Sequence, residues 1–110
     1  GTQFPHPPPP RIWHYSNPRS ATQTDTVIKA AVASLSHYVA DIYFAAKGAV
    51  DVTIEEGTTT FKWRYYASAA SDGAMTPLRV PIKLTANTSL TYTTSGAVEH
   101  TIVVTGFTAP

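Results

Sequence analysis

Beyond Thr22 the chain alternates apolar and polar residues with a period of two. Val50, Val52 and Ile54 alternate with Asp51, Thr53 and Glu55; Phe61, Trp63 and Tyr65 alternate with Lys62, Arg64 and Tyr66. Leu78, Val80, Ile82 and Leu84 alternate with Arg79, Pro81 and Lys83, and Leu90 and Tyr92 with Thr91 and Thr93. Val98, Ile102 and Val104 line up across Glu99, Thr101, Val103 and Thr105. Alternation of this kind places one set of side chains on a buried sheet face and the other in solvent. The residue types agree, since Thr, Val, Ile and the aromatics fit a pleated surface.

Turn residues separate these runs. Glu56-Gly57-Thr58 predicts a hairpin between the strands on either side, and Ser95-Gly96 predicts another between Tyr92 and Val98. Lys47-Gly48 separates Tyr43 from Val50, and Ser68 to Thr76 reads as a polar connection by which the chain changes sheet. Pro81 inside its run implies a sheet edge or a bulge, because proline cannot donate to a strand ladder. Residues 25–36 carry two readings. Asp25 would cap a helix with Val27, Ile28, Ala31, Val32 and Leu35 near a 3.6 period. Alternatively, a strand from Thr24 to Ala30 bends at Ala33-Ser34 into a second strand from His37 to Ala46, the reading that neighbouring strands favour. The sum is an all-β chain of about eight antiparallel strands, a β-sandwich or jelly roll.

The first twenty residues differ from the rest. Six of the nine prolines fall here, five of them between Pro5 and Pro10. Proline fixes φ and lacks an N–H, so the default state is polyproline II, a stiff rod of about 3.1 Å per residue. Phe4, Ile12, Trp13 and Tyr15 are too apolar for a solvated tail. Residues 1–20 are therefore expected to form an extended docking arm, and residues 21–110 the sandwich. The arm's contact residues would be Phe4, Pro7, Pro8, Pro9, Pro10, Arg11, Ile12, Trp13 and Tyr15.

Composition narrows the function classes. A chain of 110 residues can bury about two-thirds of its unfolded surface, enough for a core without staples. The absence of cysteine excludes disulfides, a thiol nucleophile and zinc sites with sulfur ligands. A formal charge of +1 argues against nucleic acid as a partner. The apolar runs are too short to cross a membrane as helices, and no charged segment followed by an apolar stretch marks a signal peptide. Only 14% of residues are charged, so Thr, Ser, Ala or a partner must cover much of the surface.

Candidate chemistry is sparse. His6, His14, His37 and His100 show no metal-ligand spacing, and Glu55-Glu56 sits at a hairpin tip where adjacent strand residues point to opposite faces. No phosphate loop, nucleophile elbow or two-histidine metalloprotease motif occurs. The expectation is no enzyme, no metal, no cofactor and no small-molecule substrate. Lys62, Arg64 and Tyr66 share the outward face of one strand, a candidate interaction face or a set of charges guarding a sheet edge. Pro7 to Arg11 has the general form of a polyproline ligand, and Asn87-Thr88-Ser89 fits the glycosylation sequon.

From Trp13 to Phe107 the chain resembles the small jelly-roll proteins that decorate tailed-bacteriophage heads, called cement, staple or decoration proteins. The residues carrying the resemblance are Trp13-His14-Tyr15-Ser16, Thr24-Asp25-Thr26-Val27-Ile28-Lys29-Ala30-Ala31 and His37-Tyr38-Val39-Ala40-Asp41-Ile42. Val52-Thr53-Ile54 with Gly57-Thr58-Thr59, Thr76-Pro77-Leu78-Arg79, Thr85 to Leu90, and Thr101 to Phe107 complete them. The resemblance implies a structural virion protein, made in the host cytoplasm and bound to the outer surface of the capsid. Its partner would be the major capsid protein, whose neighbouring subunits it would clamp against internal genome pressure. Its own state would be a homo-dimer at two-fold positions, a trimer being the other arrangement. The alternative function is a carbohydrate- or protein-binding jelly-roll module of a fibre or head vertex, with Tyr65, Tyr66 or Tyr92 stacking on sugar rings.

Overall fold

The alternating runs become strands. The computed structural model describes residues 11–110 and is all β there, with β1 (Arg11–Arg19), β2 (Thr26–Lys29), β3 (Ser36–Ala46), β4 (Val50–Glu56), β5 (Thr60–Ala67), β6 (Asp72–Lys83), β7 (Leu90–Thr94) and β8 (His100–Ala109). Two four-stranded sheets form, in the orders β1-β8-β3-β6 and β2-β7-β4-β5, with all pairings antiparallel. Every connection except the β4–β5 hairpin crosses from one sheet to the other. This is the jelly-roll strand order.

The core lies between the sheets. Val39, Ile42 and Phe44 of β3 and Ile102 and Val104 of β8 meet Val52 and Ile54 of β4 and Leu90 and Tyr92 of β7, all fully buried. The period-two pattern of β8 alternates buried and half-buried residues along its whole length.

One open choice is decided for strands, and four expectations change. Residues 25–36 contain the short strand β2 and a turn at Ala33-Ser34, where Ser34 takes a positive φ of 67°, and no helix. Ser95-Gly96 joins strands of different sheets and is a crossover in place of a hairpin. The connection expected over Ser68–Thr76 is shorter, because β6 already begins at Asp72. The docking arm expected over residues 1–20 loses its second half: residues 11–19 are β1, paired with β8 from Arg11↔Thr108 to Arg19↔His100. Pro18 is accommodated because β1 is an edge strand, where one missing N–H costs no ladder bond on the open side.

The last change comes from bulges. On β3–β6 the register steps from Val39↔Ile82 to Asp41↔Pro77, so Leu78 to Pro81 face a single residue and Val80 is exposed instead of inward. On β4–β5 it steps from Ile54↔Trp63 to Glu55↔Phe61, which turns Phe61 from the expected inner face to the outer one.

Candidate interaction surfaces

In the β1-β8-β3-β6 sheet, alternation decides what faces outward. Gly106 and Thr108 are buried, so Phe107 between them points out; buried His37 and Val39 do the same for Tyr38, and buried Ile42 and Phe44 for Tyr43. The register aligns these into rows. One row runs Ile12, Phe107, Tyr38, Lys83, and another runs Ser16, Val103, Tyr43, Met75. Between them lies a polar row, His14, Thr105, Asp41, Pro77, in which the Thr105 hydroxyl donates to Asp41 at 2.9 Å.

The first row is ordered by aromatic contact. The Tyr38 and Phe107 rings stack 4.6 Å apart at an interplanar angle of 9°, and Lys83 Nζ sits 5.6 Å from the Tyr38 ring centre. The Tyr38 hydroxyl donates to the Pro110 carbonyl at 2.7 Å. Ile12, 85% exposed, and Met75, 73% exposed, leave large apolar groups in water at opposite edges of the sheet. The signal for Tyr38 was present in the sequence as alternation with His37 and Val39.

The expected arm divides. Phe4 and Pro7 to Pro10 lie outside the described residues. Arg11 and Ile12 are exposed, but Trp13 and Tyr15 turn inward and pack against the core. Trp13 Nε1 donates to Thr108 Oγ1 at 3.0 Å, Thr108 Oγ1 lies 2.8 Å from His37 Nδ1, and His37 Nε2 lies 2.7 Å from the Ala30 carbonyl. Because a carbonyl only accepts, His37 carries its proton on Nε2 and accepts at Nδ1 from Thr108. Tyr15 sits edge-on to Tyr92, 6.5 Å between centres, and its hydroxyl accepts from Asn17 at 3.0 Å. Those two aromatics are therefore not available to a partner.

The second surface is the open edge strand β5. Arg64 Nε donates to Thr53 Oγ1 at 2.9 Å, and its guanidinium carbon lies 5.1 Å from the Phe61 ring centre and 6.0 Å from that of Tyr66. The hydrogen bond to Tyr66 outweighs an opposing desolvation and, with the charge interactions of Tyr66, Asp51 and Glu55, raises the Arg64 pKa further. Phe61 is 56% exposed and Tyr66 63%. The expected trio Lys62, Arg64 and Tyr66 is thus revised: Lys62 is half-buried at the bulge, and Phe61 takes its place beside Arg64.

Two of the three tyrosines expected to stack on sugar are already engaged. Tyr92 is fully buried beside His100, with its hydroxyl 3.2 Å from Nε2, and burial pushes its pKa up to about 12. Tyr65 donates to Asp72 Oδ1 at 2.6 Å, while the Ser68 N–H donates to Oδ2 at 2.8 Å. These bonds, the one from Tyr65 foremost, lower the Asp72 pKa and raise that of Tyr65. Glu56, expected as a solvated turn residue, accepts hydrogen bonds from the Thr85 N–H and hydroxyl and holds the β6–β7 connection.

Among the described residues no group of three or more His, Asp or Glu is placed to hold a metal ion. A shallow groove of about 290 Å³ runs over Ala45, Ala46 and His100, flanked by the solvated Lys47–Glu99 ion pair at 3.0 Å. It is open, and such an exposed pair contributes little binding energy. No protein-family model and no curated protein matches the chain.

Proposed function

We propose that the chain is a structural protein of a tailed-phage head, bound to the outer capsid surface through the outward face of the β1-β8-β3-β6 sheet. The observation that supports this reading is the row-ordered apolar face carrying Ile12, Phe107, Tyr38, Val103, Tyr43 and Met75 on a jelly-roll frame. Ile12, Tyr43 and Met75 are exposed and Phe107, Tyr38 and Val103 half-buried beside them, and apolar groups gathered in this way on one face of a small sandwich mark a protein contact. The sequence resemblance to head decoration proteins supplies the kind of partner.

Four strands about 4.8 Å apart and ten residues long present on the order of 650 Å², below the ~800 Å² that each partner gives a standard stable interface. One copy therefore binds weakly, and a lattice of capsid subunits engages many copies together. Co-sedimentation with heads of the phage that encodes the chain tests this. The wild-type protein is expected to pellet with heads, and Met75→Asp to bind at least about tenfold more weakly. Wild-type protein that stays in the supernatant at saturating concentration overturns the reading.

The exposed Phe61–Arg64–Tyr66 edge favours a second reading, a carbohydrate-binding module, since aromatic rings beside a hydrogen-bonding cation suit sugar faces. A glycan array with wild-type protein and Tyr66→Ala separates the two: binding that Tyr66→Ala abolishes favours the module.

A further inference from the structure

We infer that β5 is the edge through which two copies of this chain pair, running antiparallel about Tyr65 and joining their β2-β7-β4-β5 sheets into one. The inference uses the sheet opposite the proposed capsid face and does not rest on that reading.

Four strands end a sheet, and three of them are blunted against pairing. β1 carries Pro18, β6 carries Pro77 and Pro81 with a bulge, and β2 has four residues and a register step of its own. β5 is eight residues long without proline, and its bulge at Lys62 lies ahead of a regular run over residues 63–67. Among the described residues β5 pairs only with β4. Arg64, the charge that would guard this edge, is drawn away from it, because its Nε donates to Thr53 of β4.

The backbone fixes which groups are free. Alternate residues of an antiparallel ladder turn their N–H and C=O to opposite sides. The Ser95 N–H donates to the Asp51 carbonyl at 2.9 Å, so Asp51 and Thr53 face β7, and Val52 and Ile54 face β5. Their partners Tyr65 and Trp63 therefore bond to β4, and Arg64 and Tyr66 turn their N–H and C=O to the open side. In a two-fold pairing about Tyr65, Arg64 of one copy meets Tyr66 of the other as a hydrogen-bonded pair. The guanidinium then lies by a phenol ring, as it already does within the chain. On the inner face Trp63 meets Ala67, large against small. The stack of Trp63 on Tyr65, 6.4 Å between centres at 13°, is half-buried in one copy and gains cover from the second. Pairing about Arg64 instead would set two like charges directly opposite. The strand is thus its own complement, as a two-fold contact requires.

Sedimentation equilibrium of the full-length protein tests this. Residues 63–67 span about 17 Å, a small contact, so the wild type is expected to dimerise between about 10 µM and about 1 mM. Tyr66→Pro removes a donor from the open side and none from the β4 ladder. It should weaken the dimer at least about tenfold while thermal melts show a folded domain. Tyr66→Ala keeps the backbone donor and should lose less. The chain has no cysteine, so oxidative cross-linking reads the register. Arg64→Cys mixed with Tyr66→Cys should form a disulfide dimer faster than either variant alone, because a hydrogen-bonded pair sets Cα atoms about 5.5 Å apart. Should Tyr66→Pro fail to fold, the cross-link decides. Wild-type protein that stays monomeric up to about 1 mM overturns the inference. So does a dimer that a folded Tyr66→Pro leaves intact, or cross-linking without preference for the mixed pair, either of which would place the contact elsewhere.

Discussion

At the scale of single residues, Thr108 holds one end of the sandwich together. Its hydroxyl accepts from Trp13 of β1 and donates to His37 of β3, whose other nitrogen reaches Ala30 before β3. Thr108→Val keeps the shape but leaves two buried polar atoms without partners, so a loss of about 1–3 kcal/mol is expected in urea unfolding, with Thr108→Ser recovering most of it. Next to it, Gly106 lies under the Trp13 indole. A methyl group there would come 2.8 Å from the ring and meet the Tyr38 carbonyl oxygen. Gly106→Ala is expected to cost about 1–3 kcal/mol, because backbone on the Tyr38 side has no room to move. At the other end, burial holds the Tyr92 pKa at about 12 against the ordinary 10.0. A raised phenol pKa favours the protonated folded state, so its contribution is complete below pH 10 and is lost as the pH climbs toward 12. Unfolding free energy measured between pH 9 and pH 12 should fall over that window, and a flat profile would count against a buried Tyr92.

At the scale of elements, the β5–β6 junction is fixed by one carboxylate. Asp72 accepts from Tyr65, which ends on β5, and from the Ser68 N–H and hydroxyl in the connection. Its pKa is lowered from the ordinary 3.8, so this contribution is present above that value and is lost as the pH falls below it. Asp72→Asn should lessen the decline in unfolding free energy expected below about pH 4, by the part that Asp72 contributes. What sequence could show at this scale was the alternation itself: the strands around Val52, Tyr92 and Ile102 were legible because one face is buried along their whole length. Phe61 and Val80 were misplaced for a different reason. A bulge shifts the alternation by adding unpaired residues, and its position is set by how two strands meet across the sheet, which period-two reading along one strand cannot register. The Phe61–Arg64–Tyr66 edge was half legible on the same account: Arg64 and Tyr66 were placed outward, and the bulge brought Phe61 to them.

At the scale of the whole molecule, the jelly-roll order depends on β1 as well as on the alternating body, although proline content set residues 1–20 apart in the sequence. Composition marked a boundary, but Trp13 and Tyr15 fall on alternate positions of a strand and complete the core over β8. The two criteria disagree at Arg11, where the chain begins pairing with Thr108. A pair of truncations resolves them quantitatively. Removing residues 1–10 leaves all eight described strands whole, so the midpoint of thermal unfolding should move by no more than a few degrees. Removing residues 1–15 strips Trp13 and Tyr15 from the core and leaves Val104 to Thr108 of β8 as a new open edge. Loss of a buried Trp alone costs about 3–5 kcal/mol, and each kcal/mol shifts the midpoint of a domain this size by roughly 4–8 °C. The longer truncation is therefore expected to melt at least about 12 °C lower, or to fail to fold. Equal midpoints for the two truncations would show that β1 is dispensable and that the sandwich closes without it.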